Sequence, residues 1–288
     1  MPPRKIGIIA GGGILPKLAV DAAKKQDADV FVVILDGHGV PADFRDVEHT
    51  MCRLGAVGSI LAALQSAEVQ EVCLIGTVRR PSLAQLRPDR RAFNLIARYG
   101  FSGLGDDALL RSVGDVLTKE GLRLVAVQDL VGGLLLRPGS VGSIEPTEAA
   151  WPDIEKGLKV ARQLGVADVG QAVVIQQGIV LAVEAIEGTD RLIARSAQLA
   201  YPGRGPILVK CCKPQQDQRL DLPTIGPDTV RSAASAGFSG IAAEAGRTLV
   251  ADIDNLRLAA DAAGLFVYGF ADGDVTTDGG AAVNESEA

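Results

Sequence analysis

KIGIIAGGGILP, residues 5–16, is the stretch that decides the fold. A β-branched run, Lys5–Ala10, stops at three successive glycines and gives way to apolar residues at helical spacing over Leu15–Lys25. The same alternation continues outward. Further strands are expected at residues 30–35 (VFVVIL), 71–75 (EVCLI) and 122–127 (LRLVAV), with helices at 57–67 and 106–119 between them. These strands are continuously apolar rather than alternating, so both faces of their sheet should be covered, as in a parallel sheet. The expected fold class is therefore α/β, with a Rossmann-like N-terminal domain over residues 1–137.

The turn itself suggests chemistry. Glycines ahead of a helix N-terminus leave backbone N–H groups able to meet an anion, so Gly11, Gly12 and Gly13 are candidate contacts for a nucleotide or phosphate. Asp36 ends the second strand, where dinucleotide folds keep a ribose-binding acid. Pro16, however, stands where the third glycine of G-x-G-x-x-G would be. Three readings stay open: nucleotide or sugar-phosphate binding, a structural turn, or a nicotinamide cofactor and hence an oxidoreductase. Thr77, Arg79 and Arg80 in GTVRRP follow the 71–75 strand, and a guanidinium can grip phosphate with two hydrogen bonds. A loop arginine pair is as readily plain solvated surface. Asp106 and Asp107 in GDDALL suit a helix cap at least as well as a site.

The pattern breaks at RPGSVGSIEPTE, and residues 138–148 read as a linker. A second, catalytic α/β domain is expected over 149–271. It has a helix at 153–164, a hairpin of 172–176 and 179–184 about Gln177-Gly178, and strands at 206–210, 240–243, 248–250 and 265–268. Helices are expected at 190–199, 228–236 and 255–263, and residues 272–288 read as a disordered tail.

Charge collects in two stretches of this second half. AVEAIEGTD holds Glu184, Glu187 and Asp190, while KCCKPQQDQRLD holds Lys210, Lys213, Asp217, Arg219 and Asp221. Asp217, Arg219 and Asp221 are spaced by two, so an extended segment would aim them to one side. Two charges about 4 Å apart interact by roughly 4 kcal/mol at an effective dielectric near 20, so clustered carboxylates call for a cation. Magnesium, with manganese the alternative, takes oxygen ligands and bridges phosphate oxygens. Asp217, Asp221, Glu184, Glu187 and Asp190 are the candidate ligands. Lys210, Lys213 and Arg219 are the candidate partners of phosphate charge, and Gln171, Thr189 and Thr224 are further candidate substrate contacts. A solvated charged surface is the bland alternative.

Composition narrows the classes. A net charge of −6 and 4% aromatic residues argue against nucleic-acid binding. The cysteines, Cys52, Cys73, Cys211 and Cys212, show no CxxC spacing and read as reduced thiols of a cytoplasmic protein rather than a zinc site. The N-terminus enters a strand directly, without a signal-peptide pattern, and no apolar run is long enough to span a bilayer.

Taken together, IAGGGILP, GTVRRP, GDDALLR, LGVADVGQAVVIQQGIVLAVEAIEGTD, KPQQDQRLDLPTIGP, EAGRTLV and ADAAGLFVYG resemble the LpxI type of UDP-2,3-diacylglucosamine pyrophosphatase of lipid A biosynthesis. The resemblance runs over nearly the whole chain, and its C-terminal motifs are the specific ones. It implies magnesium-dependent hydrolysis of a lipid-linked UDP-sugar to UMP and 2,3-diacylglucosamine 1-phosphate (lipid X), with water attacking the β-phosphate. It also implies two domains with the substrate between them, and a cytoplasmic enzyme peripheral at the inner membrane. The family's D-x-P-T aspartate, needed for catalysis, matches Asp221. A homodimer is an open alternative, and so is a non-catalytic carrier of an acylated sugar nucleotide.

Overall fold

The computed structural model describes residues 4–79, 82, 86–99 and 106–271, without the side chains of 98, 99, 106 and 107. Arg80, the tail from Asp272 and the side chains of Asp106 and Asp107 thus lie outside the described residues. The chain divides into two compact units. The first comprises residues 1–134 with 215–222, and the second 135–214 with 223–288.

In the first unit, β1 (Lys5–Ala10), β2 (Asp29–Leu35), β3 (Glu48–Cys52), β4 (Glu71–Ile75) and β5 (Arg123–Leu124) form one parallel sheet in the order β3-β2-β1-β4-β5. This is the Rossmann-like layout expected. Helices α1 (Leu15–Lys25), α2 (Val57–Ser66), α3 (Arg90–Tyr99), α4 (Asp106–Lys119) and the short α5 (Val127–Leu130) accompany it. Phe31, Val33 and Leu35 from the sheet pack with Ile60, Leu61 and Leu64 of α2 and Leu117 of α4. Strand order reverses between β1 and β4, so the turns after these strands, 11–14 and 76–79, share the edge where open α/β sheets take ligands.

The second unit holds a six-stranded mixed sheet. It is built from β6 (Gly139–Ser140), β7 (Ala172–Gln176), β8 (Ile179–Val183), β9 (Ile207–Lys210), β11 (Gly240–Glu244) and β13 (Phe266–Phe270), in the order β6-β13-β11-β9-β7-β8. A separate parallel pair joins β10 (Thr224–Ile225) to β12 (Leu249–Val250). Strands β9, β11 and β13 run parallel, and the hairpin β7–β8 joins antiparallel to β9. Alternation along the strands feeds two cores. Val174, Leu208 and Ile241 meet α7 (Thr189–Ser196), α8 (Pro227–Ser235) and α9 (Ile253–Ala263). Val173, Ile175 and Val209 meet Ile154, Leu158 and Ala161 of α6 (Trp151–Val166).

Residues 138–148 are not a free linker. Gly139 and Ser140 form the edge strand β6 against β13, and Ser143 bonds the Asp261 carboxylate through its N–H (2.6 Å) and hydroxyl (2.8 Å). The strand, two residues long, is too short to show a period. The boundary lies earlier than expected, after Leu134, and the first unit later regains residues 215–222.

Candidate active site

At the switch point the first unit builds its turn by backbone pairing. The N–H of Gly11 donates to Ile75 O, and Gly12 and Thr77 exchange N–H···O bonds, each at 2.9 Å. The Thr77 hydroxyl adds a 3.3 Å bond to Gly12 O. Two of the three glycine amides expected to cradle an anion are thus already paired, and Gly13, exposed at φ 88°, is the one left to consider. Close packing here comes from Gly76 rather than from a glycine at position 16. A Cβ on Gly76 would lie 2.7–2.8 Å from Gly12 O, Gly11 C and Pro16 Cγ. Asp36, Thr77 and Arg79 are exposed at the C-terminal edge of the same sheet.

Residues 215–222 belong to the first unit although their neighbours in sequence belong to the second. The extended segment expected there is instead a tight turn. The N–H groups of Leu220 (2.9 Å) and Asp221 (3.2 Å) both donate to Asp217 O. The cause is the Asp217 side chain, which accepts the Arg219 N–H at 3.0 Å and so folds the backbone onto itself, something a period-two reading does not foresee. The Arg219 guanidinium then closes on both Asp217 oxygens, at 3.0 and 2.7 Å. That hydrogen bond from Arg219 holds the Asp217 carboxyl below its usual range. Asp221 itself is exposed and accepts a 2.7 Å bond from buried Gln216.

In the second unit, one edge of the sheet gathers the end of β8, the start of β7, the end of β9 and the first turn of α7. Glu184 and Lys210 are each 5% exposed. The Thr189 hydroxyl joins them, donating to Glu184 Oε1 (2.6 Å) and accepting from Lys210 Nζ (3.0 Å). Glu184 Oε2 accepts the Gln171 N–H, and Lys210 also donates to Thr224 O, each at 3.0 Å. The Gln171 side-chain oxygen is buried with no hydrogen-bond partner among the described residues. Glu187 pairs with Arg195 at 2.7 Å, and Lys213 with Asp168 at 2.5 Å. Burial raises the Glu187 carboxyl, but the hydrogen bond and charge of Arg195, together with backbone hydrogen bonds, leave the group below its usual range. Asp190 is exposed in the first turn of α7, where its charge favours the helix N-terminus.

Gln171, Glu184, Thr189, Lys210 and Thr224 therefore meet in one network, and Asp217, Arg219 and Asp221 share one turn. Neither unit holds all five candidate metal ligands. Among the described residues no three His, Cys, Asp or Glu side chains are grouped to hold an ion, and most of the expected carboxylates already bond to neighbouring donors. These residues do not make a ready cage for magnesium. The three cations expected to meet phosphate, Lys210, Lys213 and Arg219, are likewise engaged within the protein. Sequence reasoning missed buried Glu244, which accepts from Cys212 N–H (3.0 Å) and Arg247 (3.2 Å), because it ends the apolar run GIAAE, which reads as core, with Arg247 its nearest charge in sequence. It also missed Gln216. None of the cysteines forms a disulfide, and burial pushes the thiols of Cys73 and Cys211 up to about 12, so neither is a ready thiolate.

The comparisons with known proteins align with this division. The LpxI N-terminal domain model matches residues 5–134, and the LpxI C-terminal domain model matches residues 137–268. UDP-2,3-diacylglucosamine pyrophosphatase LpxI of Caulobacter vibrioides is 40% identical over 273 residues, 92% of this chain and 97% of that protein. Among solved structures, a putative epimerase of Burkholderia cenocepacia is 12% identical with a TM-score of 0.35, covering 96% of this chain and 87% of its own. The Thermus thermophilus UDP-glucose 4-epimerase complex with NAD is 12% identical with a TM-score of 0.32, covering 93% and 86%. Structural likeness that low decides nothing, whereas the two domain matches and the Caulobacter identity do: the chain belongs to the LpxI family.

Proposed function

We propose that this chain hydrolyses the pyrophosphate of UDP-2,3-diacylglucosamine, giving UMP and 2,3-diacylglucosamine 1-phosphate. The observation that carries the reading is the 40% identity to the Caulobacter pyrophosphatase, which extends over nearly all of both chains. The site chemistry is compatible with it. Asp221 is an exposed carboxylate on a hydrogen-bonded turn, a suitable group to orient water and accept its proton. Water's oxygen would bond to the β-phosphorus while the bridging P–O bond breaks, and the bridging oxygen would leave with UMP. We assign Gly13, Thr77 and Arg79, at the switch-point edge, to the nucleotide and its phosphates, and the Gln171 side-chain oxygen to a substrate donor. Magnesium, or manganese, remains the proposed ion, although the candidate carboxylates among the described residues form no ready cage for it. An acylated substrate would bring the chain to a membrane surface as a peripheral partner, and no helix among the described residues is long and apolar enough to cross one.

Purified protein incubated with the nucleotide-lipid and magnesium should release UMP, and in heavy-oxygen water the label should enter the sugar phosphate and not UMP. Chelation should stop release and added magnesium restore it; undiminished turnover in excess chelator would remove the ion from the reading. Asp221→Asn should keep UMP affinity and lose about 10²–10⁴-fold in turnover. No UMP from the wild-type chain at any metal concentration would dismiss the activity, and full turnover by Asp221→Asn would dismiss that residue's role.

A further inference from the structure

The Asp221-bearing turn is attached to the first unit by a contact that no polar motif announces. Leu220, only 7% exposed, lies against Gly114 in the middle of α4. A Cβ on Gly114 would come 2.9 Å from Leu220 Cδ1, 3.2 Å from Leu124 Cδ1 of β5 and 3.3 Å from Leu220 Cδ2, so the missing side chain makes room for both leucines, with Leu220 the nearer. Beside it a shallow pocket of about 350 Å³ runs between α4 and the turn, lined in part by Arg111, Ser112, Thr118 and Asp217. On the polar side, Arg219 closes the Asp217 ring, and Asp217 O accepts the N–H groups of Leu220 and Asp221. Gln128 of α5 holds the same turn by donating to Gln218 O at 3.1 Å. Glycine in a helix interior disfavours the helix, so Gly114 needs a compensating role, and the leucine seat supplies one.

We propose that the Gly114–Leu220 seat and the Asp217–Arg219 ring fix where the Asp221 carboxylate stands, so that Gly114, Leu220, Asp217 and Arg219 are positioning residues for the hydrolysis. The inference rests on the function proposed above. It reassigns Asp217 from metal ligand, and Arg219 from phosphate partner, to the support of Asp221. A displacement of about 1 Å in a reacting group can cost on the order of 10²-fold in rate, so a loosened turn should show in turnover before it shows in folding.

Gly114→Val tests this. Valine fills the seat yet forms helix better than glycine, so α4 itself is not weakened. The variant should stay folded, melting somewhat below the wild type as an overpacked site does, and keep its KM. Its kcat for UMP release should fall by about 10²-fold, and hydrogen exchange at the Leu220 and Asp221 amides, read by NMR without substrate, should speed up. Adding Leu220→Ala removes as many carbons as the valine adds, and should return both turnover and protection, as volume-conserving swaps do. If Gly114→Val does not fold, Arg219→Lys asks the same question. Lysine keeps the charge but cannot close the two-oxygen ring, so kcat should fall and the same two amides should exchange faster at an unchanged KM. Unchanged exchange at Leu220 and Asp221 in a folded variant, or lost turnover that Leu220→Ala fails to recover, overturns the proposal. A wild-type chain that releases no UMP overturns the functional reading, while the substrate-free exchange comparison still decides the seat.

Discussion

Glu184 and Lys210 bring opposite charges into the second unit's interior, and one hydroxyl connects them. Burying a charge is tolerated when it is well partnered, and here each of the two groups has two partners. Glu184 takes Gln171 N–H and Thr189 O–H, and Lys210 gives to Thr189 Oγ1 and Thr224 O. Thr189 is the single residue on both sides of that account. Thr189→Val keeps the shape and removes the hydroxyl, leaving a carboxylate oxygen and an ammonium each short of a partner. Urea unfolding should then show a loss of about 1–3 kcal/mol, with Thr189→Ser recovering most of it. A valine variant as stable as the wild type would mean that water replaces the hydroxyl and that the network is open to solvent.

The turns after β1 and β4 meet at the scale of whole elements, and Gly76 is the point of contact. It has φ 103°, a region that L side chains rarely adopt, and an added Cβ would press on the backbone of Gly11 and Gly12 as well as on Pro16. Gly76→Ala should therefore destabilise the first unit by roughly 1–3 kcal/mol through strain and crowding, which circular dichroism in urea would measure. A change within the error of the method would mean that the two turns slide apart at little cost. The elements that carry this site were legible in advance. β1, α1 and the β7–β8 hairpin fall where apolar runs and glycine turns placed them, because their residues face cores on which the pattern depends. β3 was not legible. Its sequence EHTMC sits at the sheet edge with every residue at least partly exposed, so no apolar run marks it. α3, RRAFNLIARY, lies among arginines that hide its apolar stripe. The turn at Asp217–Asp221 was missed for another reason. Its shape is set by a side chain folding back on its own backbone and by a leucine entering a glycine gap far away in sequence. Neither leaves a periodic trace.

The whole molecule is not divided as its sequence is. The family models part between residues 134 and 137, yet the first unit is completed only by residues 215–222, which the chain supplies from between β9 and β10. Contacts rather than chain neighbours should therefore decide which unit this segment opens with, as cooperative units in native proteins follow packing. The two units can be weakened separately. Asp153, 1% exposed in α6, accepts the N–H groups of Gln177 (2.9 Å) and Gly178 (2.6 Å) at the hairpin turn and pairs with Arg204, all inside the second unit. Asp153→Ala leaves the Arg204 charge and two amides without it, and breaking such a buried pair costs about 3–5 kcal/mol. Trp151, the sole tryptophan, stacks edge-on against Tyr268 at 5.1 Å in the same unit, so its fluorescence reports that unit alone. In Asp153→Ala the fluorescence midpoint in urea should fall by the corresponding amount. Hydrogen-exchange protection at Val209 and Ile225 should fall with it. Protection at Leu220 and Asp221 should instead stay at the level of the α4 amides. If those two amides lose protection together with Val209 and Ile225, the segment answers to its neighbours in the chain, and the first unit ends at residue 134 after all.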